Sequence, residues 1–345
     1  MNGKIASYIV LIIGLVVFIF YMYLVGFDKI LSILARISLT SILLLLLLML
    51  ITILLHSVTW HLILNARPFN ASVRLRDSIG IMSLSLLSGY LLPVGAVTDV
   101  VRFVLSTRVI KLRSSLALSS IMIHRLYLTI SGLTLFLILL FTRFFMYGIA
   151  IDPGYLIVII LYVILVVMPT LAITGIFGSN SFMRLLLRIK DYIERKTVRR
   201  YRFNPEFFVI EYRDSLKKSI FHSISSLRAF SVALLEWLFL SLVTHIILSN
   251  FTSYTSFIQA LIVAISIQLV YWIMPLSFSS SIGLVEFIIS LILQVIGLSP
   301  QIAISFVIIY RFFSFTATLL ISYPMLRIFR IESLRDLVKI EENTT

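Results

Sequence analysis

The stretch Leu87–Ser106 reads LSGYLLPVGAVTDVVRFVLS. It is apolar at both ends, but its middle holds Pro93, Gly95, Asp99 and Arg102. Proline removes a backbone donor and clashes with the turn before it, so a helix entering this stretch breaks. Whether the chain crosses a membrane here or turns back fixes the sidedness of everything that follows. The apolar segment around the break covers 78–105, and its arms, about 15 and 10 residues long, are shorter than the ~20 needed to cross the hydrocarbon. The break therefore reads as the tip of a re-entrant hairpin.

The rest of the chain requires a membrane. Of 345 residues, 60% are hydrophobic and 13% charged, and the mean hydropathy is +1.09. A soluble domain has no interior able to hide that much apolar surface. Uninterrupted spans cover Ile5–Gly26, Leu39–Leu64, Ser114–Phe141, Gly154–Phe177, Ile224–Leu248 and Gln301–Leu326. A second broken region, 256–298, is interrupted by MPLSFSSSIG at 274–283. The fold expected is an all-α polytopic membrane protein: one membrane domain over 1–345, with about six full transmembrane helices and two oppositely oriented broken-helix hairpins forming an inverted repeat. The first hairpin and its following span occupy 78–141, and the second pair 256–326.

Charge orients the spans, because cytoplasmic loops carry the excess of Lys and Arg. With a cytoplasmic N-terminus, segments 1–4, 65–77, 106–113, 178–223 and 327–345 hold 1, 3, 3, 11 and 4 basic residues. The outward segments 27–38, 142–153 and 249–255 hold only Lys29, Arg36 and Arg143. This bias survives only if 78–105 enters and leaves on one side. The arms of the second region, 256–274 and 284–298, are long enough to span obliquely, which leaves a full crossing open, but both its flanks lack Lys and Arg, which fits a hairpin entering from the outside. The expectation is a multi-pass protein of the cell membrane with both termini cytoplasmic. The net charge of +14 then answers to anionic lipids at the cytoplasmic face, not to nucleic acid. Two amphipathic stretches, 181–196 in the basic loop 178–223 and 330–340 in the tail 327–345, read as interfacial helices.

The two breaks repeat a pattern. Pro93, Gly95 and Asp99 precede Arg125 by a helix; Pro275, Ser280, Gly283 and Glu286 precede Arg311 likewise. The arginine follows the acid by 26 residues in the first case and 25 in the second. Each arginine lies in an otherwise apolar span. A charge at mid-bilayer costs about 3 kcal/mol on insertion scales, so such residues face a bundle interior or a wet cavity and have partners. Broken helices in opposed repeats that meet near the midplane mark transporter sites, where a helix N-terminus favours an anion. A purely structural role as buried ion pairs is the competing reading. A new helix starts after the first break, with Gly95 or Thr98 near its cap. Arg102 either satisfies Asp99 at i,i+3 or snorkels to the cytoplasmic mouth.

Glu236 is a third intramembrane acid, facing the same cavity or pairing with Arg228 two turns earlier. His56, His61 and His245 read as packed or interfacial residues, with a proton relay the lesser alternative for the first two. Cysteine is absent, which removes disulfides and thiolate chemistry. No metal-ligand spacing and no Walker motif occurs, so no metal, cofactor or ATP hydrolysis is expected.

The pieces LPVGAVTDVVRFVL (92–105), HRL (124–126), MPLSFSSSIGLVEFII (274–289) and YRF (310–312) resemble the flippase-like transmembrane family typified by the membrane domain of lysylphosphatidylglycerol synthases. The resemblance departs at Val97–Thr98, where the family carries a glycine nearer the acid, and at His124, where it often carries an acid. No aminoacyl-transferase domain follows in this sequence. The resemblance implies movement of a lipid between leaflets without its synthesis. It implies Asp99, Arg125, Glu286 and Arg311 as the working charges, with a phospholipid or a polyprenyl-phosphate glycolipid as substrate. A membrane-embedded glycosyltransferase or other lipid-modifying enzyme, and a non-transporting scaffold subunit, are the alternatives. An oligomer is compatible with the sequence.

Overall fold

A computed structural model describes residues 16–69, 71–91, 97–147, 153–197, 204–219, 224–252, 256–273 and 283–329, all of whose regular elements are helical. Helices α1 (Val16–Val25) and α2 (Phe27–Leu34) meet at 86°. Gly26 makes the corner at φ 100°, a region glycine enters without steric cost. The expected first span thus ends at this bend, and its first residues, 5–15, lie outside the described residues. The short α2 buries Ile30 against Phe18 and Ile304.

Helix α3 (Leu39–Asn65) is the first described full crossing. Ser38 caps it, accepting from the Ser41 N–H at 3.1 Å. Two short helices follow, α4 (Leu75–Leu91) and α5 (Val97–Val109), then the long α6 (Ser114–Tyr147). Helices α7 (Pro153–Tyr162) and α8 (Met168–Phe177) run on through one π-helical turn, Val163–Val167, as a second long apolar element. Helices α9 (Asn180–Thr197) and α10 (Pro205–Ser219) occupy the basic segment. The full crossing α11 (Ile224–Ser249) leads to the short pair α12 (Phe257–Ile273) and α13 (Leu284–Val295), and α14 (Pro300–Ile328) closes the described chain.

Side-chain contacts fix the relative directions. Helix α3 runs antiparallel to α11: Ser41 Oγ bonds Asn250 Oδ1 at 3.2 Å at one end, and His56 meets Glu236 farther along. It also runs antiparallel to α6, with Trp60 Nε1 donating to Ser120 Oγ at 3.2 Å and His124 reaching the His56 carbonyl. The C-terminus of α3 and the N-terminus of α6 therefore share a face, which we call the basic face. Helices α4 and α5 leave that face and return to it.

The C-terminal end of α14 packs on the first half of α4. Ser322 Oγ donates to the Ser83 carbonyl at 3.1 Å, and Phe329 lies so close to Gly80 that a Cβ there would stand 2.5 Å from its ring. Helix α14 thus ends at the basic face and begins at the opposite one. Helix α12 starts at that opposite face, where α11 ends beside Ser41. The second short pair therefore enters from and returns to the face opposite the first, which is the expected inverted arrangement. At 1.5 Å per residue, α5 and α13 are about 20 and 18 Å long. Neither crosses a core of about 30 Å.

The basic segment 178–223 holds more than the expected interfacial helix. Helix α9 exposes Leu185 and Ile189 on one face, as an interfacial element does. Helix α10 instead packs inward. Asn204 Oδ1 accepts from the N–H groups of Glu206 and Phe207 at its start. Buried Tyr212 donates to the Thr174 carbonyl at 3.1 Å, Arg213 caps the end of α8 at the Gly178 carbonyl, and Glu211 takes Arg113 and Ser115 at the start of α6. The expected tail helix 330–340 lies outside the described residues.

Candidate functional site

A cavity of about 300 Å³ lies between the two hairpins and the full-length helices around them. Asp99, Arg102, Arg125, Glu236 and Arg311 line it; Glu286 sits behind Arg311 and does not. Of the expected breaks, Pro93, Gly95, Pro275 and Ser280 lie outside the described residues. Gly283, at φ 101°, is the N-cap of α13. The described part of helix α5 begins at Val97, with Thr98 next to it, so the residues that cap it lie outside the described residues. The tip of the first hairpin is tight: a Cβ on Gly89 would stand 2.6 Å from Thr98 Oγ1.

The two charge clusters are built alike. Asp99 is the third residue of α5, and Glu286 the third of α13. Both carboxylates therefore sit in the first turn, where the dipole and free N–H groups favour negative charge. Arg125 lies eleven residues past Ser114, the first residue of α6, and Arg311 eleven past Pro300, the first of α14. Eleven residues advance about 17 Å, roughly half the hydrocarbon thickness. Entering from opposite faces, the two arginines meet near the middle.

In the first cluster Asp99 Oδ1 accepts from Arg102 Nη2 at 3.0 Å, while Oδ2 forms an ion pair with Arg125 Nη2. Arg102 does not snorkel. It is 3% exposed, lies 5.7 Å over the Trp60 ring, and points Nη1 at His124 Nδ1, 3.0 Å away. A guanidinium only donates, so His124 Nδ1 is the acceptor, and Nε2 donates to the His56 carbonyl at 3.2 Å. These bonds fix the tautomer of His124 and satisfy both ring nitrogens.

In the second cluster Glu286 Oε2 accepts from the Gly283 N–H at 2.6 Å, which is the carboxylate half of a capping box. Its Oε1 stands 3.2 Å from Arg311 Nε, but the contact lacks hydrogen-bond alignment, and this oxygen has no hydrogen-bond partner among the described residues. Arg311 donates Nη1 to the Tyr271 hydroxyl at 2.8 Å and lies 4.6 Å over the Tyr90 ring, a cation–π geometry. Tyr90 in turn bonds Ser314.

Glu236 pairs with His56, Oε1 to Nδ1 at 2.8 Å, and not with Arg228, which is exposed. Its Oε2 is buried with no hydrogen-bond partner among the described residues. In the sequence His56 reads as a packed or interfacial residue, with a proton relay the lesser alternative, because nothing in one sequence sets it against α11; nor does that reading include Tyr90 and Tyr271, although a signal was present. Each tyrosine stands in the last turn of the helix before a break, in GYLLP and in YWIMP, so the repeat extends to them. No group of three potential metal ligands occurs among the described residues.

Compared with known protein families, residues 8–322 match the one described as the lysylphosphatidylglycerol synthase TM region. No curated protein and no solved structure gives a significant match.

Proposed function

The chain belongs to the family of the lysylphosphatidylglycerol synthase transmembrane region, a lipid-related membrane family, and from that premise we propose that it moves a phospholipid or polyprenyl-phosphate glycolipid between leaflets. One observation carries the reading. Two half-length helices, inserted from opposite faces, each set an acid against an arginine of the long helix that follows, and both arginines line one cavity near mid-membrane. Arg125 and Arg311 hold the headgroup phosphate, since a guanidinium offers a planar fork of donors matched to it. Asp99 and Glu286 balance these cations when no headgroup is present. The tyrosines at Arg311 flank the glycerol or sugar part. The acyl chains stay in the bilayer while the headgroup passes along a wet path between the repeats. In this reading the basic face is cytoplasmic, it sits on anionic lipid of the cell membrane, and both chain ends lie on that side.

The test is leaflet exchange in proteoliposomes, using acyl-labelled phosphatidylglycerol and, separately, a labelled polyprenyl-phosphate sugar. Wild type is expected to accelerate exchange of at least one of them. Arg311→Ala and Glu286→Gln are expected to lower the rate at least tenfold while the proteins remain monodisperse. Equal rates for folded wild type and variants would overturn the proposal and favour a scaffold role, in which these charges serve stability alone.

A further inference from the structure

The cavity contains one pair of a different kind. Asp99 faces Arg102 and Arg125, and Glu286 faces Arg311, so these acids meet groups that stay charged at any physiological pH. Among the described residues Glu236 is paired with His56 instead, and imidazole is the side chain able to take up and release a proton near neutral pH. The pair is buried on the Glu236 side, 6% exposed, while the His56 ring borders the cavity. With Nδ1 on Glu236 Oε1, neutral His56 keeps Nε2 for an incoming proton. His124 cannot compete, because Arg102 and the His56 carbonyl engage both of its nitrogens.

The other ionisable groups around the pair are accounted for helix by helix. Helix α6 contributes His124, its ring 4.6 Å from that of His56, and Arg125; α5 contributes Asp99 and Arg102. Helix α14 contributes Tyr310 and Arg311, and α4, α7 and α12 contribute the phenols Tyr90, Tyr162 and Tyr271. His61, farther along α3, bonds Ser78 and does not line the cavity. With both histidines neutral, the three guanidinium groups of Arg102, Arg125 and Arg311 cancel the carboxylates of Asp99, Glu236 and Glu286. The cluster then has no net charge to offer a phosphodiester, and a proton on His56 supplies one positive charge.

We infer that the His56–Glu236 pair is a proton-binding site, and that an anionic headgroup and a proton enter the cavity together, so that a proton gradient drives the lipid. This rests on the lipid-transport reading. Proton and lipid favour each other's binding by the same factor, as linkage demands. The proton is taken from water at one face and released to water at the other with the headgroup. One linked proton changes apparent lipid affinity by at most about tenfold per pH unit.

The experiment uses vesicles of neutral phosphatidylcholine carrying acyl-labelled phosphatidylglycerol, with an internal pH dye, for wild type, His56→Gln, Glu236→Gln and Arg311→Ala. Wild type is expected to exchange the probe several-fold faster under a pH difference of one unit than without one, and to move protons only when the probe is present. Both His56→Gln and Glu236→Gln, if monodisperse, are expected to lose the response to the gradient and the proton signal. Exchange that depends on Arg311 but ignores the gradient, or responds equally in His56→Gln, would overturn the proton site and leave the transport reading standing. A second set of vesicles carries a labelled polyprenyl-phosphate sugar in place of phosphatidylglycerol, and no exchange of either probe by wild type would overturn both.

Discussion

At the scale of single residues, the site is decided by which partner each charge finds. Burying a charge is tolerated when a hydrogen-bonded partner comes with it, and removing one member of such a pair costs about 3–5 kcal/mol in soluble cores. The acids are placed by helix starts, so their partners followed from sequence: Asp99 and Glu286 each open a short helix, and the next arginine one helix on is the one they meet. Asp99 as a partner of Arg102 was legible from their i,i+3 spacing, but the partner of Glu236 and the further partners of Arg102 were not, because His56 and Trp60 reach them from α3 and His124 from α6. Small residues carry similar long-range information. A Cβ on Gly132 of α6 would stand 2.6 Å from the Trp237 ring. That ring is held by its own Nε1 bond to the Leu128 carbonyl at 2.8 Å and cannot retreat. Gly132→Ala is therefore expected to destabilise the protein by about 1–3 kcal/mol, the usual cost of overpacking, read as a lower unfolding temperature in detergent. An unchanged temperature would show that α6 and α11 are not this close.

At the scale of elements, length and breaks did most of the work. The long crossings were legible because about 20 apolar residues form a helix that satisfies its own backbone in lipid. Buried hydroxyls confirm that economy: Ser57 Oγ, for instance, donates to the Ile53 carbonyl one turn back. The first hairpin was legible because its arms are too short to cross; the arms of the second are long enough to span obliquely, and only its break and its flanks without Lys or Arg pointed to a hairpin. Helix α10 was not, since its 15 residues are polar enough to pass for a solvated loop, and only its contacts with α6 and α8 reveal it. The absence of cysteine allows a clean test of the hairpins. Arg76→Cys and Lys111→Cys flank α4–α5, while Ser256→Cys and Ser299→Cys flank α12–α13. An impermeant maleimide is expected to label the first two from one side of sealed vesicles and the last two only from the other. Labelling of positions 76 and 111 from opposite sides would mean that α4–α5 crosses the membrane once.

At the scale of the whole molecule, two opposed half-membrane hairpins leave a polar middle inside an apolar protein. The inverted relation followed from loop charges together with the short arms of the first hairpin, because a single crossing at 78–105 would have turned the eleven-charge segment outward. What the sequence did not carry is the closure of the two halves around one cavity. That depends on α3 packing antiparallel against both α6 and α11, and on α14 folding its C-terminal end onto α4. It also explains why a group on each half, Arg125 on one and Arg311 on the other, can serve a single headgroup.

The most direct test of that central claim is a density map of the protein in lipid nanodiscs containing phosphatidylglycerol. The account predicts headgroup density in the cavity, its phosphate within hydrogen-bonding reach of Arg125 or Arg311, with both acid–arginine pairs beside it. A map with the two arginines facing hydrocarbon, or with 78–105 and 256–298 as straight unbroken helices, would contradict it.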